Sequence, residues 1–287
     1  MTSFGGSIRG AGFGLVLPLV VAGVPQAQAQ AQAQTQAKLD ATYTATLAGM
    51  QVGRGAWTVT VDDDKFTAAA SGMTAGILRM FSAGRGNSAA RGVITASGQF
   101  VPAAYTSNVT TDRRKDEVRM VMAGGAVRTM SVEPPVTPDP ERIPVSEAHR
   151  RSILDPMTAA LTRVPGSGSV IGPQTCQRTL QIFDGRIRYE LDVEFKRIEQ
   201  VKAQKGYQGP VAICGVVFKP IAGHIPDRAG IKWMAEQRGA EIWVAPIGET
   251  RVVVPFKMVV PTPVGNGVLE ASSFVVSPLT ATASKSP

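Results

Sequence analysis

Residues 180–196 read Leu-Gln-Ile-Phe-Asp-Gly-Arg-Ile-Arg-Tyr-Glu-Leu-Asp-Val-Glu-Phe-Lys, and this stretch decides the fold. On an extended chain, Arg186, Arg188, Glu190, Asp192, Glu194 and Lys196 fall on one side. Ile187, Tyr189, Leu191, Val193 and Phe195 fall on the other. Alternation sustained over ~10 residues describes a strand with one dry face and one wet face, the habit of antiparallel sheets. Such a strand spans ~33 Å, enough to cross a whole domain. Asp184-Gly185 precedes it, and both residues tolerate the positive φ of a tight primed turn. The segment therefore predicts a hairpin with Leu180–Phe183 as its first arm.

Similar runs recur on both sides of this hairpin. Strands are expected near 41–48, 56–61, 65–71, 87–96, 101–111, 116–122, 126–132, 175–183, 186–199, 210–218, 240–246, 250–260 and 267–276. Turn chemistry separates many of them: Asp62-Asp63-Asp64, Ala123-Gly124-Gly125 and Gly265-Asn266-Gly267. The short, even spacing implies an all-β fold with minor helix, as a meander, sandwich or barrel. Gly49 to Gly55 resembles a phosphate loop only superficially, lacking the Gly-Lys-Ser/Thr ending, and is read as a hairpin connection. Helix is expected near 146–164, where Asp155 caps a helix begun by Pro156 and stopped at Pro165-Gly166. A weaker helical pattern covers Met73 to Phe81. The run Glu133-Pro134-Pro135-Val136-Thr137-Pro138-Asp139-Pro140 cannot be regular structure, and a seam is placed at 133–145.

The start of the chain has the layout of a secretory signal. Arg9 precedes an apolar run from Ala11 to Val24, and Ala27-Gln28-Ala29 supplies small residues for cleavage. The apolar run falls short of the roughly 20 residues of a membrane span. The expected organisation is a signal at 1–29, a Gln/Ala tether at 30–37, one β-rich domain at 38–277 and a disordered tail at 278–287. No cysteine lies near the cleavage region, so the product is expected in the periplasm, neither acyl-anchored nor membrane-spanning. Hydrophobic residues make up 44% of the chain, enough for a sizeable core. The net charge of +8 favours anionic envelope partners such as lipopolysaccharide, acidic phospholipid or peptidoglycan carboxylates, or serves solubility alone. Nucleic acid is not expected, because basic residues are scattered and not interleaved with aromatics.

Cys176 and Cys214 are the only cysteines, and export makes them disulfide candidates. The alternative is a pair of small buried hydrophobes. A bridge would close ~38 residues, which chain entropy values at roughly 4 kcal/mol. Geometry sets a condition. On strands flanking a shared middle strand the two would lie ~9.5 Å apart, beyond the roughly 7 Å a disulfide tolerates. Cys176 must then precede its ladder or lie on a facing sheet. No His or further Cys sits at ligand spacing, so no metal and no cofactor is expected.

The chain has two histidines. His224 lies in a loop pinned by Pro220 and Pro226, where it is a base, a ligand or simply a hydrogen-bonded loop residue. With Arg186 and Arg188 it forms the candidate functional loop. His149 precedes Arg150 and Arg151 and is read as a solvated helix position. Neither histidine has a nucleophile elbow nearby, and Glu190, Asp192 and Glu194 read as a solvent face, so the reading leans away from an enzyme. Met73, Met80, Met120, Met122, Met130 and Met157 are candidates to line an adaptable apolar cavity or to fill a core.

From Cys176 to Leu191 (Cys-Gln-Arg-Thr-Leu-Gln-Ile-Phe-Asp-Gly-Arg-Ile-Arg-Tyr-Glu-Leu) the chain resembles exported bacterial proteins grouped as domain of unknown function 3108. Tyr43 to Gly53, Leu154-Asp155-Pro156, Gly209-Pro210 with Cys214, Pro220 to His224 and Ala245-Pro246 match as well. The resemblance implies export and an antiparallel meander forming an open barrel or half-barrel, without supplying a reaction. The function expected is a non-enzymatic periplasmic protein binding an apolar ligand, a lipid or a lipidated protein, in a curved sheet. A module binding acidic envelope polymers, or an enzyme acting on envelope glycan or lipid, is the alternative.

Overall fold

A computed structural model describes residues 36–76 and 83–279. The signal, most of the tether, most of the tail and the body of the 73–81 pattern lie outside the described residues.

The first seven strands are β1 (Ala37–Leu47), β2 (Met50–Val61), β3 (Lys65–Thr74), β4 (Gly84–Ile94), β5 (Phe100–Thr111), β6 (Lys115–Ala123) and β7 (Ala126–Glu133). They form a plain antiparallel meander. A connector follows, holding α1 (Pro156–Ala159) and the short β8 (Thr162–Arg163). The remaining elements are β9 (Arg178–Phe183), β10 (Arg188–Lys202), β11 (Lys205–Gly206), β12 (Gln208–Ala222), α2 (Ala229–Glu236), β13 (Glu241–Pro246), β14 (Val252–Thr262) and β15 (Gly265–Pro278). One sheet takes them in the order β7-β6-β5-β4-β3-β2-β1-β15-β14-β13-β12-β10-β9, with β8 against β14 and β11 against β15. The expected all-β, open, barrel-like meander is what forms. β1 takes in Ala37 and β15 takes in Pro278, one residue beyond the limits read for the domain. No helix among the described residues is long and apolar enough to cross a membrane.

β7 and β9 are the sheet's two ends, and strand pairing does not join them. A strap from the connector does. Ile153 N donates to Gly125 O at 3.0 Å, at the β6–β7 turn. Leu154 N donates to Gln181 O at 2.8 Å, and Phe183 N donates back to Leu154 O at 3.0 Å. The next residue, Asp155, caps α1. Its Oδ1 accepts from Met157 N at 2.9 Å and from Thr158 N at 3.0 Å, satisfying two orphan donors of the first turn.

The main core gathers Leu39, Val59, Phe66, Val211, Ile213, Phe256 and Phe274. A second cluster, of Tyr105, Val118, Met120, Met122, Ile153 and Phe183, lies under the strap. The third surrounds the disulfide. Cys176 and Cys214 are bridged with Cα atoms 5.6 Å apart. Cys176 ends a 3₁₀ turn at Pro173–Thr175, two residues ahead of β9, so it precedes its ladder as the spacing argument required. The dry side of β10 packs here. Val193 is buried, Leu191 and Phe195 are partly so, and all three meet the cluster of Cys176, Cys214, Ala212 and Val253. β12 between the clusters is dry on both faces, with Val211 to Gly215 all buried.

Four local readings need correction. The Asp184-Gly185 turn spans four residues, since Phe183 pairs with Arg188. Asp184 Oδ1 accepts from Arg186 N at 2.8 Å and Ile187 N at 2.7 Å, and this side chain closes the loop in place of a two-residue turn. The connection read at 49–55 is only Ala48–Gly49, because Leu47 pairs with Met50 and β2 continues from there with one register shift at Val52. Met73 belongs to β3, not to a helix. Helix α2 is an addition to the expected elements: its cap position Arg228 makes no side-chain cap bond, and its residues are exposed or half-buried. The 146–164 segment holds a 3₁₀ turn at Ala148–Arg150 and the four-residue α1. His149 lies in that 3₁₀ turn, where its Nδ1 accepts from Ser146 N at 3.1 Å.

Candidate functional site

Where β7 approaches the β9–β10 turn, the seam holds a pocket of about 340 Å³. One wall is β7. Met130 pairs with Met120 and Val132 with Val118, so both share the face of buried neighbours. Phe183, fully buried at the end of β9, supplies the opposite wall. The connector crosses over the top with Pro135, Val136 and Val145.

Three arginines complete the lining: Arg142, Arg150 and Arg186. Arg142 Nη1 donates to Gly223 O at 2.7 Å. Arg150 Nη1 reaches the exposed Glu147 at 3.0 Å. Arg186 Nη2 bridges the seam, lying 3.2 Å from Asp116 Oδ1 and 3.1 Å from Glu133 O. The Nε atoms of Arg142 and Arg150 are buried without any acceptor. A buried donor left unpaired carries a cost of about 1–3 kcal/mol, more for a charged group. No Asp or Glu lines the pocket. The cavity thus joins an apolar wall to guanidinium groups with hydrogen-bonding capacity to spare, the complement of an acyl chain ending in an acid.

Backbone pairing holds the connector down. Ile143 N donates to His224 O at 2.9 Å, and Gly223 N donates to Ile143 O at 2.7 Å. Gly223 has φ +85°, and a Cβ there would lie 2.0 Å from Arg186 O, so only glycine lets this loop nest on the β9–β10 turn. His224 is buried beside the pocket but does not line it. Its Nδ1 has no partner, and burial holds its pKa below the usual imidazole value. Arg188 is buried too, and its guanidinium turns to Glu190 at 3.0 Å and to Tyr189 O. Burial also raises the carboxyls of Asp184 and Asp155 above their ordinary values, against the hydrogen bonds each accepts.

Of the three loop residues singled out from sequence, only Arg186 lines the pocket. His224 stands behind its wall and Arg188 is engaged elsewhere. Arg142 and Arg150 were missed, the first inside what reads as a stiff connector and the second as part of a solvated His-Arg-Arg run. Nothing local marks them. Their placement comes from Gly223, 81 residues from Arg142, and from the register of β7. Among the methionines, Met120, Met122 and Met157 pack in the seam cluster and Met130 lines the pocket. Met73 is 48% exposed on another face, and Met80 lies outside the described residues.

A family model described as "Protein of unknown function (DUF3108)" matches residues 42–272. No curated protein matches the chain. Among solved structures, a beta-barrel-like protein of domain of unknown function DUF1849 from Brucella abortus is similar, at 8% identity and a TM-score of 0.43. That match covers 85% of this chain and 98% of the other.

Proposed function

This chain belongs to the DUF3108 family, and we propose that it is a non-enzymatic periplasmic protein whose seam pocket holds an anionic amphiphile, one acyl chain with an acidic end. The observation that carries this reading is the lining itself: Met130, Val132, Val136, Val145 and Phe183 against Arg142, Arg150 and Arg186, with two guanidinium Nε atoms unsatisfied. At about 340 Å³ the space lies near the lower end of ligand cavities, roughly 300–1,000 Å³, and suits a single chain better than a whole phospholipid. The Cys176–Cys214 bridge supports export, since structural disulfides persist in oxidising compartments.

The test is a titration of purified protein with oleate and with oleyl alcohol. Oleate binds and the alcohol binds at least tenfold more weakly, the difference being the charge met by arginine. Arg142→Gln lowers oleate affinity while leaving the melting temperature near that of the wild type. Val136→Trp, at a position 40% exposed, fills the cavity and blocks both ligands. Equal binding of acid and alcohol, or full oleate binding by both variants, defeats the proposal.

A further inference from the structure

A second concavity lies across β1 to β5 and β15, with a volume of about 680 Å³. Strand register builds it from two parallel rows of side chains. Thr42, Ala56, Ser71, Asn87 and Asn108 stand side by side on β1 to β5. Thr44, Arg54, Met73, Arg85 and Thr110 form the adjoining row. Ser272 of β15 extends the first row, its hydroxyl 3.0 Å from that of Thr42. Six strands contribute, so the groove runs ~24 Å from end to end at five strand spacings.

Hydroxyls and amides line it where the seam pocket has apolar walls. As at the seam, no carboxylate lines it among the described residues. Arg54 and Arg85 are exposed, and neither guanidinium has a hydrogen-bond or ion-pair partner among the described residues. Glu270, opposite Thr44 on β15, is already paired with Lys257 at 3.1 Å. The arginines stand two strands apart, ~10 Å at the backbone. Between and beside them are hydroxyls and amides, with Asn108 Nδ2 donating to Asn87 Oδ1 at 3.2 Å. A glycine sets the local backbone: a Cβ at Gly55 would lie 2.9 Å from Ser71 O, so the close approach of β2 to β3 depends on the missing side chain.

We infer that this groove binds an acidic polysaccharide, a polymer of uronate type. Length argues for a polymer, because a free small anion occupies a fraction of ~24 Å. Unpaired arginines argue for carboxylates, which the guanidinium fork meets in bidentate fashion. The rows of Ser, Thr and Asn argue for a partner rich in hydroxyls. Nucleic acid is disfavoured because strand binding without sequence preference uses stacking platforms. The one aromatic at the groove among the described residues, Tyr43, is buried and donates its hydroxyl to Pro255 O at 2.7 Å. An amphiphile is disfavoured as well, since among the described residues Ala56 and Met73 are the only apolar side chains exposed there.

The experiment titrates purified full-length protein with alginate oligosaccharides, with carboxyl-reduced alginate, and with oligothymidylate of similar charge. The inference expects alginate binding that weakens at least tenfold between 50 and 200 mM salt, the behaviour of screened contacts. Arg54→Ala combined with Arg85→Ala then lowers affinity at least tenfold. Both positions are exposed, so the melting temperature and oleate binding at the seam stay unchanged. Reduced alginate binds weakly or not at all. Equal alginate binding by the double variant, equal binding of the reduced polymer, or oligothymidylate binding as tight as alginate overturns the inference. Because oleate is measured on the same variants, failure here is distinct from failure at the seam.

Discussion

The seam and the groove both present arginine, and they present it in opposite ways. At the seam, Arg142, Arg150 and Arg186 lie partly buried against Phe183, Met130 and Val136. At the groove, Arg54 and Arg85 stand in water among hydroxyls and amides. A guanidinium beside apolar walls meets charge in a low effective dielectric and retains hydrogen-bonding strength. One in water loses most of that advantage to screening. The same residue type thus supports retention of one small ligand in the first setting. In the second it supports salt-sensitive, additive contacts along a polymer.

This contrast can be broken most forcefully through Phe183. Its ring fills both the seam cluster and the pocket wall, so Phe183→Ala lowers unfolding free energy by about 3–5 kcal/mol. Met73→Ala in the groove, on a side chain 48% exposed, changes it by less than about 0.5 kcal/mol. Guanidinium denaturation compares the two, and equal losses would erase the distinction. The disulfide comes next. Cys176→Ala with Cys214→Ala releases a 38-residue separation and costs about 2–4 kcal/mol. Alginate binding at the groove survives at temperatures where that variant stays folded, because β2–β5 lie outside the clipped region. A parallel loss of alginate affinity would show that the regions are coupled.

A smaller effect belongs to Asp155, whose cap holds the strap in place. Asp155→Ala costs about 1–2 kcal/mol by thermal unfolding and weakens oleate binding while sparing alginate binding. A neutral substitution would remove the cap from the account. The smallest effect is in pH. Burial lowers the His224 pKa, so the folded state takes up that proton less readily than the unfolded chain. The stabilisation is present above the unfolded value near 6.5 and is lost as pH falls through the folded one. His224→Gln removes this term, and its stability should decline less than wild type between pH 7 and pH 5. A steeper decline in the variant reverses the sign.

Much of the sheet is legible in the sequence, because alternation and turn residues are local. The β9–β10 pair and the Gly124-Gly125 hairpin follow from spacing alone. What alternation leaves open is which body each dry face meets. Leu191, Val193 and Phe195 read as core, yet they pack on the disulfide cluster and not on the main one. Helix α2 is hard to read because it is only eight residues long and its cap position, Arg228, offers no side-chain cap. The site is less legible than the fold. Arg186 is found beside its turn, whereas Arg142 and Arg150 gain meaning only when the connector lies across the seam. Arg54 and Arg85 are invisible for a related reason. Their shared row appears only once β2, β3 and β4 are in register.

The central claim is that an acyl chain occupies the seam. Photocrosslinking with a diazirine-bearing fatty acid, followed by peptide mass spectrometry, tests it most directly. The account predicts adducts on Met130, Val132, Val136 or Phe183, competed away by oleate and absent in Val136→Trp. Adducts scattered over the surface, or concentrated on β2–β4, would contradict it.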